Sequence, residues 1–240
     1  MIKVFRKIRQ KLLAENKFSK YLLYAIGEIA LVVIGILIAL QINNWNEERK
    51  QNKLEESTLI ELKANMLADI GDFQADINGY NTAANSCRIV LDFIDGKIPY
   101  SDSLNLHLGK LRIQGVFSPT QVAYENLKLS GIKLISNDSL RNTLSNLYEV
   151  QYKYAAGYLE AEYHLDNQVL GEYYTKIMKE YSPYRYAKPV DYESLINNQE
   201  FRNLLMHRKM KIEDWLKYLY ERNIGRAGQV IEMIDKELEK

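Results

Sequence analysis

The sequence predicts an all-α protein in which an N-terminal transmembrane helix continues into an elongated antiparallel helical bundle. Three observations predict it. Residues 21–42 form an apolar run with one charge, Glu28. From Leu59 onward, apolar residues recur every three or four positions, the spacing of one helix face. Strand signals are weak throughout: only 132–135 is β-like, and it is too short to build a sheet. The expected organisation is a basic cytoplasmic arm at 1–20, a transmembrane helix at 21–44 and an extracytoplasmic bundle at 45–240.

The arm carries Lys3, Arg6, Lys7, Arg9, Lys11, Lys17 and Lys20 against the single acid Glu15. Ile2, Phe5, Ile8 and Leu12 recur at helical spacing. The arm therefore either lies on an anionic leaflet as an amphipathic helix or only sets topology. In the next segment, Tyr24 and Trp45 bracket a stretch of about 31 Å at helical rise, which matches a hydrocarbon core, and Tyr21 adds to the aromatic belt. The run is too long for a signal peptide and ends in Gln41-Ile42-Asn43-Asn44-Trp45, a poor cleavage site. Residues 29–40 are apolar on every face, unlike a core helix of a soluble domain. The cations before the run outnumber those after it, so the N-terminus is expected in the cytoplasm and the remainder across the membrane, in the periplasm of a bacterium with an inner membrane.

No proline lies between Trp45 and Gly96, and the stripe Leu59, Leu62, Met66, Ile70, Phe73, Ile77, Tyr80, Ala84, Cys87, Leu91, Ile94 repeats every 3.5 residues. The membrane helix is therefore expected to run on as a stalk until the DGKIP stop at 95–99. Residues 101–135 read as short pieces. Ser118-Pro119 is expected as N-cap and first helical position, with Gly131 ending that helix. A third element starts at Asn137 or Asp138, with Leu140, Leu144, Leu147, Tyr154, Tyr158, Leu165, Val169, Tyr173 and Ile177 inward, and ends before Ser182-Pro183. A fourth starts near Asn198, with Phe201, Leu205, Ile212, Trp215, Leu219, Val230, Ile234 and Leu238 inward. These stripes bury each other in a bundle, and the 3.5 repeat equally permits a parallel coiled-coil dimer.

The opening stretch also resembles a known family. The block at residues 24–47, YAIGE followed by LVVIGILIALQINNWNE, and the segment AYENLKLSGIKLISNDSLRNTL at 123–144 are similar to the bacterial domain-of-unknown-function family 6090. The resemblance implies a bacterial single-pass membrane protein with a helical outer domain. It implies no activity, ligand or catalytic residue.

Charge and motifs narrow the function. A net charge of +1 and the absence of a basic stripe argue against nucleic-acid binding. The single cysteine, Cys87, rules out an intrachain disulfide and a cysteine-rich zinc site, and reads as a small buried residue. His164 follows Glu160 by one turn, but the Glu-x-x-His pairs of di-metal bundles are absent, so no metal or other cofactor is expected. No nucleophile or phosphate-loop motif occurs, and the chain is read as a non-enzyme without catalytic residues.

Two groups remain as candidate sites. Glu28 lies about 6 Å inside the cytoplasmic edge of the span. It is expected either to meet a polar group of another membrane helix or to be tolerated near the headgroups, and Gly35 and Ala39 form a small-xxx-small pair beside it. Eleven tyrosines crowd 148–192. Tyr148, Tyr152, Tyr154 and Tyr158 are expected to line a pocket or partner surface, or else to fill the bundle margin with their hydroxyls towards water. The function predicted is a scaffold or accessory module at the cell envelope that works by protein–protein contact, its partners the lipid bilayer and a second protein or a second copy of itself. The alternative is a periplasmic ligand-sensing bundle that signals through a partner, because the N-terminal arm is too short for an output domain.

Overall fold

Helix formation follows the apolar periodicity almost throughout. The computed structural model describes residues 18–240, so the expectation for the basic arm lies outside the described residues up to position 17, as does the side chain of Tyr21. The described residues are 81% helical, with one two-stranded sheet among them. It divides into two units, one ending at Glu55 and the other comprising Glu56–Lys240. Helix α1 (Phe18–Ile94) contributes residues to both.

In the first unit, α1 is long and apolar enough to cross a membrane, with a mean hydropathy of 2.5 over its most apolar window, none of it buried. Leu23, Ile29, Leu31 and Leu37 are all more than half exposed.

In the second unit, the stripe from Leu59 to Ile94 faces the core as its spacing predicts. Gly96 stops α1 with φ +68, a conformation open to glycine at little steric cost. Helix α2 (Ser103–Lys110) follows. Helix α3 (Val122–Ser130) starts three residues beyond Pro119, contrary to expectation, with Gln121 as its N-cap. The Thr120 N–H, which a Ser118 cap would have drawn into the helix, instead donates to Asp69 on α1 at 2.8 Å. Gly131, at φ +99, ends α3, and 132–134 forms a 3-10 turn rather than an extended segment.

Asn137 caps α4 (Asp138–Asn146) by accepting from Ser139 and Leu140 N–H. The path continues through a π segment (Leu147–Tyr152), α5 (Lys153–Asp166), a second π segment (Asn167–Gly171) and α6 (Glu172–Ile177). The π segments correct the predicted stripe. An extra residue in a helical turn rotates everything after it. The inward positions beyond Leu147 are thus Ala155, Leu159, Asp166, Leu170, Tyr174 and Met178, each one residue later than expected. Tyr154, Leu165 and Val169, predicted inward, are exposed.

The helix also ends sooner than predicted. Met178–Ser182 (β1) and Tyr186–Pro189 (β2) form an antiparallel hairpin. Sequence alternation misses it because three of the five β1 residues are solvent-exposed, and its support is tertiary. Tyr184 N–H donates to the Gly109 carbonyl of α2, and the Tyr174 hydroxyl donates to the Leu108 carbonyl. Helix α7 (Tyr192–Ile196) leads to α8 (Gln199–Lys211), which starts where predicted and is capped by Asn198, then a third π segment (Ile212–Leu216) and α9 (Lys217–Leu238).

Helix α9 runs antiparallel to α1: Lys63 pairs with Asp235, and further along the Tyr220 hydroxyl donates to Asp76 at 2.9 Å. By contrast the path from the first π segment through α5 to α6 runs parallel to α1, with Phe73 against Tyr152 and Cys87 near Tyr174. The excursion through 95–137 makes this parallel return, and its Phe117 stacks on Phe73 with ring centroids 4.4 Å apart.

Candidate functional site

The polar feature that stands out in the second unit is a buried charge cluster at a cleft between α5 and α8. The two helices pack antiparallel, and the π segments Asn167–Gly171 and Ile212–Leu216 lie on its opposite walls. The cleft has a volume of about 230 Å³. Leu159, Leu170, Leu204 and Leu216 form apolar walls, Tyr80 and Gly115 lie at its inner face, and Tyr163, Leu165 and Val169 are exposed around it.

Arg208 and Asp166 lie in its wall, 7% and 9% exposed. Each nitrogen of the Arg208 guanidinium makes one hydrogen bond. Its Nη1 donates to Asp166 Oδ1 at 2.6 Å, its Nε to the Leu111 carbonyl at 2.6 Å, and its Nη2 to the Ile113 carbonyl at 2.9 Å. Gln114 donates to the other Asp166 oxygen at 2.5 Å, and Arg112 Nε lies 3.6 Å from it. Arg112 reaches on to Asn167 at 2.7 Å. The cluster thereby fastens the irregular 111–114 strip, which has no ladder of its own, to both helices. Nearer solvent, Lys211 pairs with Glu162 at 2.5 Å.

A second polar group lies in the aromatic core. Asp69, 1% exposed, accepts from Thr120 with one oxygen, while its other oxygen and the hydroxyls of Tyr148 and Tyr152 are buried without hydrogen bonds in the protein. Burial raises the Asp69 carboxyl above its ordinary 3.8 and outweighs the Thr120 N–H. Asp76 is raised for the same first reason, partly offset by Tyr220.

The candidate tyrosines do not share one surface. Tyr148 and Tyr152 point into the core, Tyr148 stacked on Tyr124 at 4.4 Å. Tyr154 is exposed, and Tyr158 packs edge-on against Trp215 at 5.8 Å. Of the tyrosines at 148–192, it is Tyr163 that borders the cleft. In the first unit Glu28 is half-buried on α1, while Gly35 and Ala39 are exposed. A Cβ on Gly35 would meet nothing within 4 Å.

Cys87 is fully buried, and desolvation pushes its thiol up to about 12, which leaves it a protonated, inert core residue. His107 sits 3.2 Å from the Ser86 hydroxyl, and burial, with Lys110 and Arg88 nearby, lowers its pKa. His164 and Glu160 are 4.0 Å apart on an exposed face. Among the described residues no group of three or more His, Cys, Asp or Glu is arranged to hold a metal ion.

The Asp166–Arg208 cluster escaped the sequence reading, but a trace of it was present. The α8 stripe steps from Leu205 to Ile212 and skips the inward position, which Arg208 occupies. An arginine at a core register position of an otherwise apolar stripe signals a buried partner, because an unpaired buried charge is too costly.

Residues 28–95 match a protein family described as a family of unknown function (DUF6090). The match covers most of the exposed apolar part of α1 and the buried stripe that follows, and supports the resemblance read at 24–47; it does not reach 123–144. No curated protein and no solved structure matches the chain.

Proposed function

We propose that the chain is a single-pass membrane protein whose helical second unit acts by contact with another protein, or with a second copy of itself, as a scaffold or accessory module of the bacterial cell envelope. One observation carries this reading. Fourteen large apolar side chains between Leu22 and Ile42 are exposed. At the low end of the usual value per side chain, leaving them in water would cost roughly 20 kcal/mol. A hydrocarbon core removes that cost over the length α1 provides. The excess of lysine and arginine at 3–20 favours a cytoplasmic N-terminus at the inner membrane, with the second unit in the periplasm.

Contact as the mode of action is supported by how the charged groups of the second unit are used. Asp166, Arg208, Lys211 and Glu162 are spent on one another and on backbone carbonyls. None is poised as an acid, base or nucleophile. The stripe at 59–94 is buried within the chain, so a partner would meet the span, where Glu28, Gly35 and Ala39 lie, or the outer surface.

The test is alkaline carbonate extraction of cells expressing the full chain, protease accessibility of each terminus in spheroplasts, and light-scattering mass after reconstitution into nanodiscs of varied size. Retention in the membrane pellet, a protease-sensitive C-terminal unit, and a dimer or a stoichiometric complex are expected. Release by carbonate would overturn the anchor, and a strict monomer that cross-links to nothing would overturn the contact role.

A further inference from the structure

We propose that the cleft between α5 and α8 is a binding site for a small, uncharged, mainly apolar molecule of about the size of indole. The inference concerns the second unit alone and does not depend on the membrane reading. Three independent observations carry it.

The first is size. Protein interiors close-pack, and gaps much larger than a water molecule are few. The cleft holds about 230 Å³, whereas an apolar cavity of about 150 Å³ already accommodates benzene. By the same proportion this cleft suits roughly nine non-hydrogen atoms.

The second is charge. Besides His207, two acids and two permanently charged bases line the cleft, and these four pair with each other: Arg208 with Asp166 at 2.6 Å and Lys211 with Glu162 at 2.5 Å. The Arg208 guanidinium also satisfies two backbone carbonyls. An anionic ligand would face two carboxylates and a cationic ligand two bases, and either would have to break an ion pair to be neutralised. A neutral molecule needs no such exchange. Gln114 and His207 offer hydrogen-bonding atoms for one polar group, and the leucines enclose an apolar body.

The third is backbone geometry. Both helices that form the cleft depart from α-helical bonding beside it, at Asn167–Gly171 and at Ile212–Leu216. A π segment gives up regular hydrogen-bond geometry and is frequent at functional sites. Here the two distortions lie on opposite walls of one cleft.

The test uses the full chain in lipid nanodiscs and fluorine NMR of 5-fluoroindole. Nanodiscs without protein serve as the partition control. Charged probes of the same skeleton, the fluoroindole acetate and fluorotryptamine, compete against it, and fluorinated cresol and hexanol give two further neutral shapes. The expected result is protein-dependent broadening with 5-fluoroindole, at least about tenfold weaker competition from either charged analogue, and loss of the signal in Leu204→Trp, which fills the cleft. A melting curve confirms that Leu204→Trp folds, and Val169→Trp replaces it if it does not. Equal signals from wild type and a folded filled variant would overturn the site. Tighter binding of a charged analogue would overturn the ligand class, and no protein-dependent signal from any neutral probe up to its solubility would overturn both.

Discussion

Arg208→Leu tests whether the cluster at 166 and 208 is what fastens the parallel return to the two long helices. The substitution keeps an apolar stem in the α8 stripe and removes a guanidinium that serves two carbonyls and one carboxylate. Breaking a buried ion pair by removing one partner costs about 3–5 kcal/mol. Arg112, 3.6 Å from the second Asp166 oxygen, and Gln114 both remain to compensate the carboxylate, which favours the low end. The stranded Leu111 and Ile113 carbonyls add back a part, since each unpaired buried acceptor costs about 1 kcal/mol or more. The expected loss is therefore about 5 kcal/mol. For a unit of this size each kcal/mol moves the midpoint by about 2–4 °C, so the melting temperature should fall by roughly 10–20 °C. The assay is urea and thermal unfolding in nanodiscs, followed by near-ultraviolet circular dichroism of the buried tyrosines. Adding Asp166→Leu should recover about 1 kcal/mol, because it removes the weakened carboxylate but leaves Arg112 without its acid. A loss below about 1 kcal/mol for Arg208→Leu, or a double variant as damaged as the sum of the singles, would refute the reasoning.

Gly109→Ala should detach the hairpin, since its Cβ would overlap the Tyr186 backbone; overpacking of this kind costs about 1–3 kcal/mol, and hydrogen exchange should rise at 178–189, unchanged exchange there contradicting the packing. Asp69→Asn should be more stable than wild type at neutral pH, because asparagine still accepts from Thr120 and carries no charge to desolvate. The folded carboxyl is raised, so wild type is penalised only above its ordinary 3.8, and the gap should close as pH falls to about 4; Asp76 is common to both proteins and cancels. A gap independent of pH would show that the Asp69 carboxyl ionises equally readily in the folded and unfolded chain, and would refute its desolvation. Asp95 behaves oppositely: Arg202, then Lys97, hold it at about 2, so its contribution is present above 3.8 and lost as pH falls through about 2. Asp95→Asn should accordingly lower stability at pH 7 and match wild type near pH 2 in the same unfolding assay, and an unchanged midpoint at pH 7 would mean the pairing contributes nothing.

Much of the fold was legible because its signals are local. The 3.5 repeat placed Leu59, Leu62, Met66 and Phe73 on one buried face, and all four are at most 1% exposed. The starts at Asn137 or Asp138 and near Asn198 were legible in the pattern, and both asparagines prove to be caps, while Gly96 and Gly131 were found as stops from the conformations glycine permits. The apolar run before Trp45 needed only counting. The candidate tyrosines were less legible. Periodicity could not tell that Tyr148 and Tyr152 would be drawn into the core while Tyr154 stayed outside, because one inserted residue at 147–152 separates the two outcomes.

What the sequence determined by itself is where helices start, stop and turn a greasy face, since those choices depend on neighbours within a turn or two. Only tertiary structure decided the π shift after Leu147, the parallel course of 147–177 beside α1, the hairpin seated on Gly109, and the pairing of Asp166 with Arg208 across 42 positions. Each of these is set by the energy of contacts between segments that no sequence window contains together. A buried charge finds its partner, and a helix accepts an irregular turn, only when the packed neighbours make the alternative more costly.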